Sequence, residues 1–329
     1  MHFRIIIGLL FSLFIINCTE SGIGSFSEET KEKIRKKIKQ EGFQGVVLIS
    51  QDDNILFRES NYAGKKRKRY QLYKKHNFPL GESTKTFTSF AIHILEEEKK
   101  ISLTDPVSKH LKWFPYPKVT IGHLLRHTSG LPKIIEFLPN FDTEKSRLKR
   151  EDIKRLFLES KLKPAFPPGE YWKYSRFDYL LLSYIIEKVS GTSYSNYLKD
   201  KIFTPLGFQN TTVDSNEVLI GNSGILSTPE DLSLFSLELK KPKLISKLSR
   251  DTIITKTILS DSISEDPIAF GEGVFVGDYF YWTYGKEKGI SNFVYHDLKS
   301  RIFITIVSPY GSSKGDLSSV QIGPYRNYF

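Results

Sequence analysis

The chain has 329 residues, with 48 Lys and Arg against 37 Asp and Glu, a formal net charge of +11 and 39% hydrophobic residues. This apolar content is large enough for a sizeable core, and the mixture of charges excludes a disordered chain. The single cysteine excludes a disulfide framework, an iron–sulfur cluster and a thiolate zinc site, because each of these needs several sulfur atoms.

The first seventeen residues have the pattern of a secretory signal peptide. Two basic side chains precede an apolar run over residues 5–16, which is too short to span a bilayer. The sequence of residues 15–18, which ends in Cys18, resembles a bacterial lipobox, whose cysteine carries the lipid. We predict a signal peptide over residues 1–17, lipidation of Cys18 and a lipid-anchored linker over residues 18–27. The alternative is cleavage elsewhere, with the cysteine present by chance.

Positive charge is concentrated near this lipid-bearing end. Removal of residues 1–17 takes away one basic and no acidic residue, so the mature chain keeps 47 basic against 37 acidic residues, a formal charge of +10. Basic residues cluster at positions 31–39 and 65–69. Anionic lipid headgroups would attract these clusters and strengthen the anchor. We therefore expect an exported, membrane-anchored lipoprotein of the cell envelope with no nucleic-acid partner. A solvated lysine-rich face is the alternative.

A helix and a β-hairpin follow the linker. The spacing of apolar residues predicts a helix over residues 28–41, with Ser25 or Ser27 as its N-cap. Two strand-like runs at residues 45–50 and 54–58, separated by three polar residues, predict the hairpin.

The rest of the chain divides into a helical middle and a β-rich end. Apolar residues at helical spacing from Phe87 to Leu95, and the N-cap pattern that begins at Thr228, indicate helices. Strand-like runs at residues 275–284, 292–295 and 301–308 can complete one antiparallel sheet with the hairpin. We predict an α+β fold in which this sheet is flanked by helices and a mostly helical domain is inserted. The predicted α/β domain takes in residues 28–85 and 260–329, and the insertion takes in residues 86–259.

Six sequence blocks carry the strongest functional signal. They are Gly81–Phe87, Ile101–Leu111, Ile121–Pro132, Pro167–Arg176, Pro205–Phe208 and Ser223–Leu232. Together, and in this order, they resemble the serine β-lactamase and penicillin-recognising family, nearest to its class C, esterase and DD-peptidase-like branch. The resemblance covers about residues 43–308 and implies a β-lactamase/transpeptidase-like fold.

The resemblance also implies which positions carry the family's chemistry. The family uses a serine three residues before a lysine, a Tyr-x-Asn element, and a Lys- or His-x-Gly strand that binds the substrate carboxylate and supplies an oxyanion-hole amide. Here Glu82 stands in place of the serine, while Lys85 is kept. Tyr174 is kept, but Arg176 replaces the asparagine.

The strand motif is changed as well, and the three substitutions together predict an ionic cluster. Thr283 replaces the cation of the Lys- or His-x-Gly motif, whereas Gly285 is kept. The exposed amides of the first helical turn favour a carboxylate at Glu82, and Lys85 and Arg176 can both pair with it. The carboxylate would then occupy the oxyanion region.

These changes predict a pseudoenzyme that keeps its cleft for binding, with Glu82, Lys85 and Tyr174 as non-functional family positions. Arg176, Thr283 and Gly285 are the predicted binding residues. The predicted ligand is a peptidoglycan peptide, a small molecule or a protein partner.

The sequence implies no cofactor and no metal. His123 and His127, four residues apart, are expected to be structural, since the sequence suggests no third ligand near them. The alternative to a pseudoenzyme is an active serine hydrolase, such as an esterase, β-lactamase or DD-peptidase-like enzyme. In that case Ser83 would shift into the cleft, or Glu82 would act as nucleophile or base.

Overall fold

The computed structural model describes residues 25–61, 77–133, 149–159, 163–260 and 267–309. The predicted signal peptide, Cys18, most of the linker and the basic cluster at residues 65–69 lie outside the described residues. Among the helices that are described, none combines the length and the apolar character needed to cross a bilayer.

Most helices lie between strands that come from both ends of the described chain. The helices are α1 (Glu28–Gln40), α2 (Thr84–Glu97), α3 (Val107–His110), α4 (Ile121–Leu125), α5 (Arg150–Glu159), α6 (Arg176–Ser190), α7 (Tyr194–Leu198), α8 (Pro229–Lys240) and α9 (Lys247–Ile253). A 3₁₀ turn, Gly81–Ser83, precedes α2, and a π-helical turn, Lys199–Phe203, follows α7. The strands are β1 (Gly45–Gln51), β2 (Asn54–Asn61), β3 (Phe78–Pro79), β4 (Thr212–Val213), β5 (Ile225–Ser227), β6 (Thr257–Ser260), β7 (Pro267–Phe270), β8 (Phe275–Val276), β9 (Phe280–Glu287), β10 (Ile290–Asp297) and β11 (Ile302–Pro309).

One antiparallel sheet of eight strands organises the molecule, in the order β2-β1-β11-β10-β9-β8-β7-β6. The two ends of the chain meet where β1 pairs with β11, with Leu48 opposite Thr305. The predicted fold class, a sheet flanked by helices, is therefore confirmed. Strands β6 and β7 and the small sheet β3-β5-β4 were not predicted, because runs of two to four residues are too short to show a two-residue period. The predicted domain boundaries stay a prediction.

Local sequence signals explain where the helices begin. The hydroxyl of Ser27 accepts a hydrogen bond from the backbone N–H of Thr30 at 3.2 Å and caps α1. In the same way, Thr228 accepts the N–H of Asp231 at 3.2 Å and caps α8. Both caps agree with the predicted ones, since they depend only on neighbouring residues.

The two faces of the sheet are buried against different helices. Along β1, Val46 and Leu48 belong to the large core formed with the central helices. Val47 and Ile49 point to the opposite face and belong to a second core that includes Ile38 of α1. Because side chains alternate along a strand, a single apolar run covers both faces.

Ion pairs within and next to α1 offset part of its positive charge. They join Lys31 to Glu28 at 2.8 Å, Lys33 to Glu29 at 2.6 Å, Arg35 to Glu32 at 3.2 Å and Lys37 to Glu41 at 2.8 Å. The cluster at residues 31–39 is therefore less positive than its basic residues alone suggest.

The buried helix α2 fixes the position of the 3₁₀ turn. Every residue from Thr84 to Leu95 is buried, and the ring of Phe87 stacks on Phe235 with 4.1 Å between centroids. A helix enclosed on all sides has little freedom to shift. The turn that carries Glu82 is thereby held in front of β9.

The 3₁₀ turn and β9 approach so closely that glycine is required on each side. Gly81 has a positive φ of 51°, and a Cβ there would lie 2.5 Å from the backbone nitrogen of Lys286. A Cβ on Gly285 would lie 1.7 Å from the carbonyl oxygen of Leu80. The short separation lets side chains of each segment reach the backbone amides of the other.

Glu287, at the end of β9, makes one of these contacts. Its carboxylate accepts the backbone N–H of Gly81 at 3.2 Å. Burial raises the pKa of Glu287 to about 7, and the nearby charges of Glu217 and Glu82 act in the same direction, whereas Lys288 opposes them. The contact between Glu287 and the 3₁₀ turn therefore involves a carboxyl group that titrates near neutral pH.

Gly285→Ala should destabilise the fold by about 3 kcal/mol, because the new methyl group cannot fit without moving the backbone of β9 or of Leu80. Urea unfolding of the purified protein measures this. The control is Gly289→Ala, where φ is positive but no heavy atom lies within 4 Å of the added Cβ, so only conformational strain of about 1 kcal/mol is expected. Equal losses in the two variants would contradict the close-contact explanation.

Glu287→Gln should flatten the pH dependence of stability between about pH 4.5 and pH 7. The folded state keeps the Glu287 proton up to about pH 7, whereas the group's ordinary value is 4.5. Its stabilising contribution is therefore present at acid pH and is lost as the pH rises through this window, by about 3 kcal/mol. The amide oxygen can still accept the Gly81 N–H.

Unfolding free energies at pH 4.5 and pH 8, from urea titrations of the wild type and the variant, measure this difference. Glu230→Gln, at an exposed ion pair, is the control for loss of a carboxylate. An unchanged pH slope in Glu287→Gln would show that this group does not titrate in the window.

Candidate functional site

The carboxylate of Glu82 is held at the start of α2 by two donors. One oxygen accepts a hydrogen bond from the guanidinium of Arg176 at 2.9 Å. The other accepts the backbone N–H of Lys286 at 2.9 Å. Lys286 directly follows Gly285 on β9, the strand to which the family resemblance assigns an oxyanion-hole amide. The predicted pairing of Glu82 with Arg176 is present, and the carboxylate lies against an amide of that strand.

Arg176 is the first residue of α6, an unfavourable place for a cation because the helix dipole is positive there. Burial also acts to lower its pKa, but the charge of Glu82, together with Tyr174 and the hydrogen bonds to both residues, outweighs burial, and the pKa of Arg176 lies above its ordinary value. The arginine and Glu82 therefore depend on each other. Each would be a poorly compensated charge without its partner.

Ser83 is turned away from this ion pair and into the sheet. It is 4% exposed. Its hydroxyl donates to the side-chain oxygen of Asn292 at 2.8 Å and accepts from the hydroxyl of Thr283 at 3.0 Å. Thr283, which the sequence predicts to be a binding residue, is thus buried and bonded inward.

Asn292 joins β10 to the 3₁₀ turn and was not identified from the sequence. Besides accepting from Ser83, its amide donates to the carbonyl oxygen of Leu80 at 2.9 Å. It is fully buried. In the sequence it is one of four polar residues of β10, with Ser291, His296 and Asp297, so its type alone did not distinguish it.

Lys85 does not join the ion pair, so the predicted pairing with Glu82 was wrong. Its ammonium lies over the ring of Tyr174, 4.5 Å from the centroid, and within the described residues no ion pair joins it to a carboxylate. The two donors fix the orientation of the Glu82 carboxylate, and in that orientation it makes no ion pair with the lysine. Burial lowers the pKa of Lys85 to about 8, opposed by the charge of Glu82 and assisted by that of Arg176.

Tyr174 keeps an amide neighbour even though Arg176 replaces the family's asparagine. Its phenol donates to the side-chain oxygen of Asn222 at 3.0 Å. Burial raises the pKa of Tyr174 above its ordinary value, so the phenol stays protonated. Asn222 lies in the loop before β5, 48 residues after Tyr174 in the sequence. No local sequence pattern predicted this contact.

The two histidines that the sequence predicts to be structural lie in different environments, and His127 belongs to a buried polar group with Asp178 and Ser129. His127 Nδ1 lies 2.7 Å from one oxygen of Asp178, and Ser129 donates to the other at 2.6 Å. Burial lowers the pKa of His127 and raises that of Asp178, so it disfavours charge on both. His123 instead forms a capping box with Thr120 at the start of α4. In the described part of the chain, no three metal-binding side chains lie together.

Known proteins of one family resemble this chain over most of its length. A family model described as Beta-lactamase matches residues 30–317. Over 173 residues, the chain is 40% identical to penicillin-binding protein 4* of Bacillus subtilis (strain 168), a match that covers 52% of this chain and 38% of that protein. The chain therefore spans less than half of the length of this curated relative.

Solved structures share the fold at lower identity. The crystal structure of a penicillin binding protein from Bacillus halodurans matches with a TM-score of 0.71 and 23% identity, over 84% of this chain and 95% of that one. FmtA from Staphylococcus aureus matches with a TM-score of 0.71 and 20% identity, over 92% of this chain and 91% of that one. These structures establish the fold, and the family model establishes membership. This chain belongs to the serine β-lactamase and penicillin-binding-protein-like family.

Proposed function

We propose that this protein is a pseudoenzyme of its family, exported and anchored by a lipid on Cys18, whose cleft binds a ligand without hydrolysing it. One observation carries the loss of hydrolysis. The carboxylate of Glu82 accepts hydrogen bonds from Arg176 and from the backbone amide of Lys286, both at 2.9 Å.

Glu82 opposes acyl transfer in two ways. The family's reaction begins with attack by a hydroxyl, and position 82 has none. The reaction also needs a backbone donor aimed at the oxygen that becomes negative. Here the Lys286 amide already binds a negative oxygen, which would repel a second one in the same place.

Ser83 is a poor substitute for the missing nucleophile. To face Lys85, its hydroxyl would have to leave both Asn292 and Thr283. Each buried hydrogen bond lost in this way costs about 1 kcal/mol, and the partners left behind would be unsatisfied. The hydrogen bonds around Ser83 therefore disfavour the alternative in which this serine shifts into the cleft.

Glu82 is also a poor nucleophile or base in its present contacts. Both of its oxygens accept hydrogen bonds from strong donors, one of them a cation. These bonds hold the carboxylate in place and engage the oxygens that would have to attack a carbonyl. This favours a binding role over rearranged hydrolysis.

The proposed ligand is a peptidoglycan peptide, with a small molecule or a protein partner as the other outcomes of a binding test. Support for it comes from the family and from relatives named as penicillin-binding proteins. Anchoring rests on the sequence of residues 15–18 and on the basic cluster at residues 65–69, which would hold the protein at a membrane surface.

The mature protein should show no covalent adduct after separate incubation with a fluorophosphonate and with penicillin, because the described hydroxyls of Ser83 and Tyr174 are each bonded to an asparagine side chain. Intact-mass spectrometry measures this, with an active serine β-lactamase as positive control. A stoichiometric adduct mapped to residues 82–85 would establish the active-hydrolase alternative. Loss of that adduct in Ser83→Ala would then identify the nucleophile.

Glu82→Ser should not restore turnover, because Arg176 still occupies the asparagine position and Thr283 still replaces the strand cation. Loss of one such group typically reduces the rate by about 100-fold or more. Hydrolysis of a chromogenic cephalosporin measures this, and Glu82→Ala is the matched control without a hydroxyl. Rapid turnover by Glu82→Ser alone would mean that the replacement at position 82 was the sole barrier.

A further inference from the structure

The connection between α8 and α9 is held by two carboxylates that bond to its backbone. One oxygen of Glu238, near the end of α8, accepts the N–H groups of Lys243 and Leu244, both at 2.5 Å. Glu97, the last residue of α2, accepts the N–H of Ser246 at 2.7 Å. Hydrogen bonds to a charged acceptor are stronger than those between neutral groups, so they restrict the conformation of this connection.

Three lysines and a leucine are exposed in residues 241–248, which we call the corner. The lysines are Lys241, Lys243 and Lys247, and among the described residues no ion pair joins any of them to a carboxylate. Leu248 is 78% exposed, more than any other large hydrophobic side chain in the described part of the chain. The corner therefore presents positive charge and apolar surface side by side.

Acidic side chains next to the corner bond to other cations and not to its lysines. Asp251 pairs with Arg250 at 2.6 Å. Asp52, in the turn between β1 and β2, pairs with Lys240 and also with Arg301 at 3.3 Å. The long lysine side chains of the corner can extend beyond these pairs, with the ammonium groups in water. An anionic partner that approaches the corner meets positive charge first.

Exposed apolar side chains also occur on two segments that follow α9. Ile258 on β6 is 57% exposed, and Tyr279, just before β9, is 54% exposed. Lys256 bonds to Asp278 at 2.7 Å and so joins these two segments. The ammonium of Lys299 lies over the Tyr279 ring, 3.2 Å from its centroid. Basic and apolar groups are thus combined here as well, and tyrosine is enriched at membrane–water interfaces.

We propose that the corner docks on an anionic phospholipid surface, with Leu248 inserted among the lipid headgroups. Anionic headgroups attract lysines close to the membrane, and removal of an exposed leucine from water adds a hydrophobic contribution. A bilayer needs no shaped pocket to take in Leu248, whereas a protein partner does. This surface rests on the proposed export and anchoring, because an anchored chain stays within reach of a lipid leaflet.

Docking through the corner would direct the candidate site away from the membrane. Glu97, which bonds to the corner, is the last residue of α2, and Glu82 lies in the turn that precedes this helix. At 1.5 Å per residue, the two positions are about 20 Å apart along the helix axis. The ion pair between Glu82 and Arg176 would then lie on the side that faces away from the lipid.

The test uses the full mature chain with Cys18→Ser, which carries no lipid. Vesicles of phosphatidylcholine and phosphatidylglycerol in equal amounts present the anionic surface, and vesicles of phosphatidylcholine alone are the neutral control. Sedimentation with the vesicles measures the partition coefficient of the protein. The protein should bind the mixed vesicles much more strongly than the neutral ones, and binding should weaken as salt is added. Equal binding to both kinds of vesicle would contradict the proposal.

Lys241→Gln, Lys243→Gln and Lys247→Gln, made together, should lower the partition coefficient on mixed vesicles by at least about tenfold. Each lysine close to an anionic leaflet contributes about a fivefold factor. Circular dichroism checks that the variant is folded, and substitution of exposed side chains should leave the fold intact.

The matched control removes the same charge elsewhere on the surface, at the exposed Lys112, Lys118 and Lys188, each replaced by glutamine. It should lower the partition coefficient by less than about threefold, because lysines that do not approach the leaflet contribute little. The basic cluster at residues 65–69 is unchanged in both variants. Equal losses in the two variants would overturn the proposal.

Insertion of Leu248 is measured with a fluorophore that is sensitive to its surroundings. In the Cys18→Ser chain, Leu248→Cys supplies the single thiol for labelling, and emission should move to shorter wavelength on mixed vesicles. Leu158→Cys, at a leucine that is 56% exposed on α5, is the control and should show no shift. The absence of a shift at position 248, or an equal shift at position 158, would count against docking through the corner.

The proposed anchoring is tested separately, by the mass of the N-terminal peptide of the native protein, which should include a lipid on Cys18. Because the vesicle experiments use a chain without this lipid, failure of the anchor and failure of the corner give different results.

Discussion

The two hydrogen bonds received by the Glu82 carboxylate determine how the rest of the site is arranged. They tie the turn before α2 to the start of α6 and to the end of β9. A carboxylate with little exposure needs such donors, because an unpaired charge of this kind costs several kcal/mol in a protein interior. Arg176 supplies the opposite charge, and it would itself be unfavourable at the first residue of a helix. The two replacements therefore make physical sense together, and either one alone would leave a charge without its partner.

The same bonds fix the Glu82 carboxylate in an orientation in which, among the described residues, it makes no ion pair with the family's lysine. Spacing along the sequence places Lys85 one helical turn from Glu82, and this was the basis for predicting that the two would pair. Spacing does not show which donors compete for the carboxylate, and here Arg176 and the Lys286 amide occupy both oxygens. The lysine amine is left among aromatic rings.

The features that the sequence predicted are those that depend on neighbouring residues or on ordered blocks. The Ser27 and Thr228 caps, the hairpin and the sheet drawn from both chain ends are of this kind, as are the positions of Glu82 and Arg176. Asn222 and Asn292 were missed because their partners lie 48 and 209 residues away along the chain. Tertiary packing determines contacts between residues this far apart in the sequence. The helical and strand periodicities of the local sequence do not predict them.

An active hydrolase holds its oxyanion amide in readiness for a charge that exists only in the transition state. That arrangement leaves a donor poorly satisfied in the resting protein, which is one reason why active sites are less stable than the surrounding fold. In this protein the Lys286 amide is bonded in the resting state to a carboxylate of the chain itself. The interaction that would otherwise lower a reaction barrier here contributes to the folded state. In the proposed pseudoenzyme, this bond stabilises the arrangement of Glu82 and β9 and does not depend on turnover of a substrate.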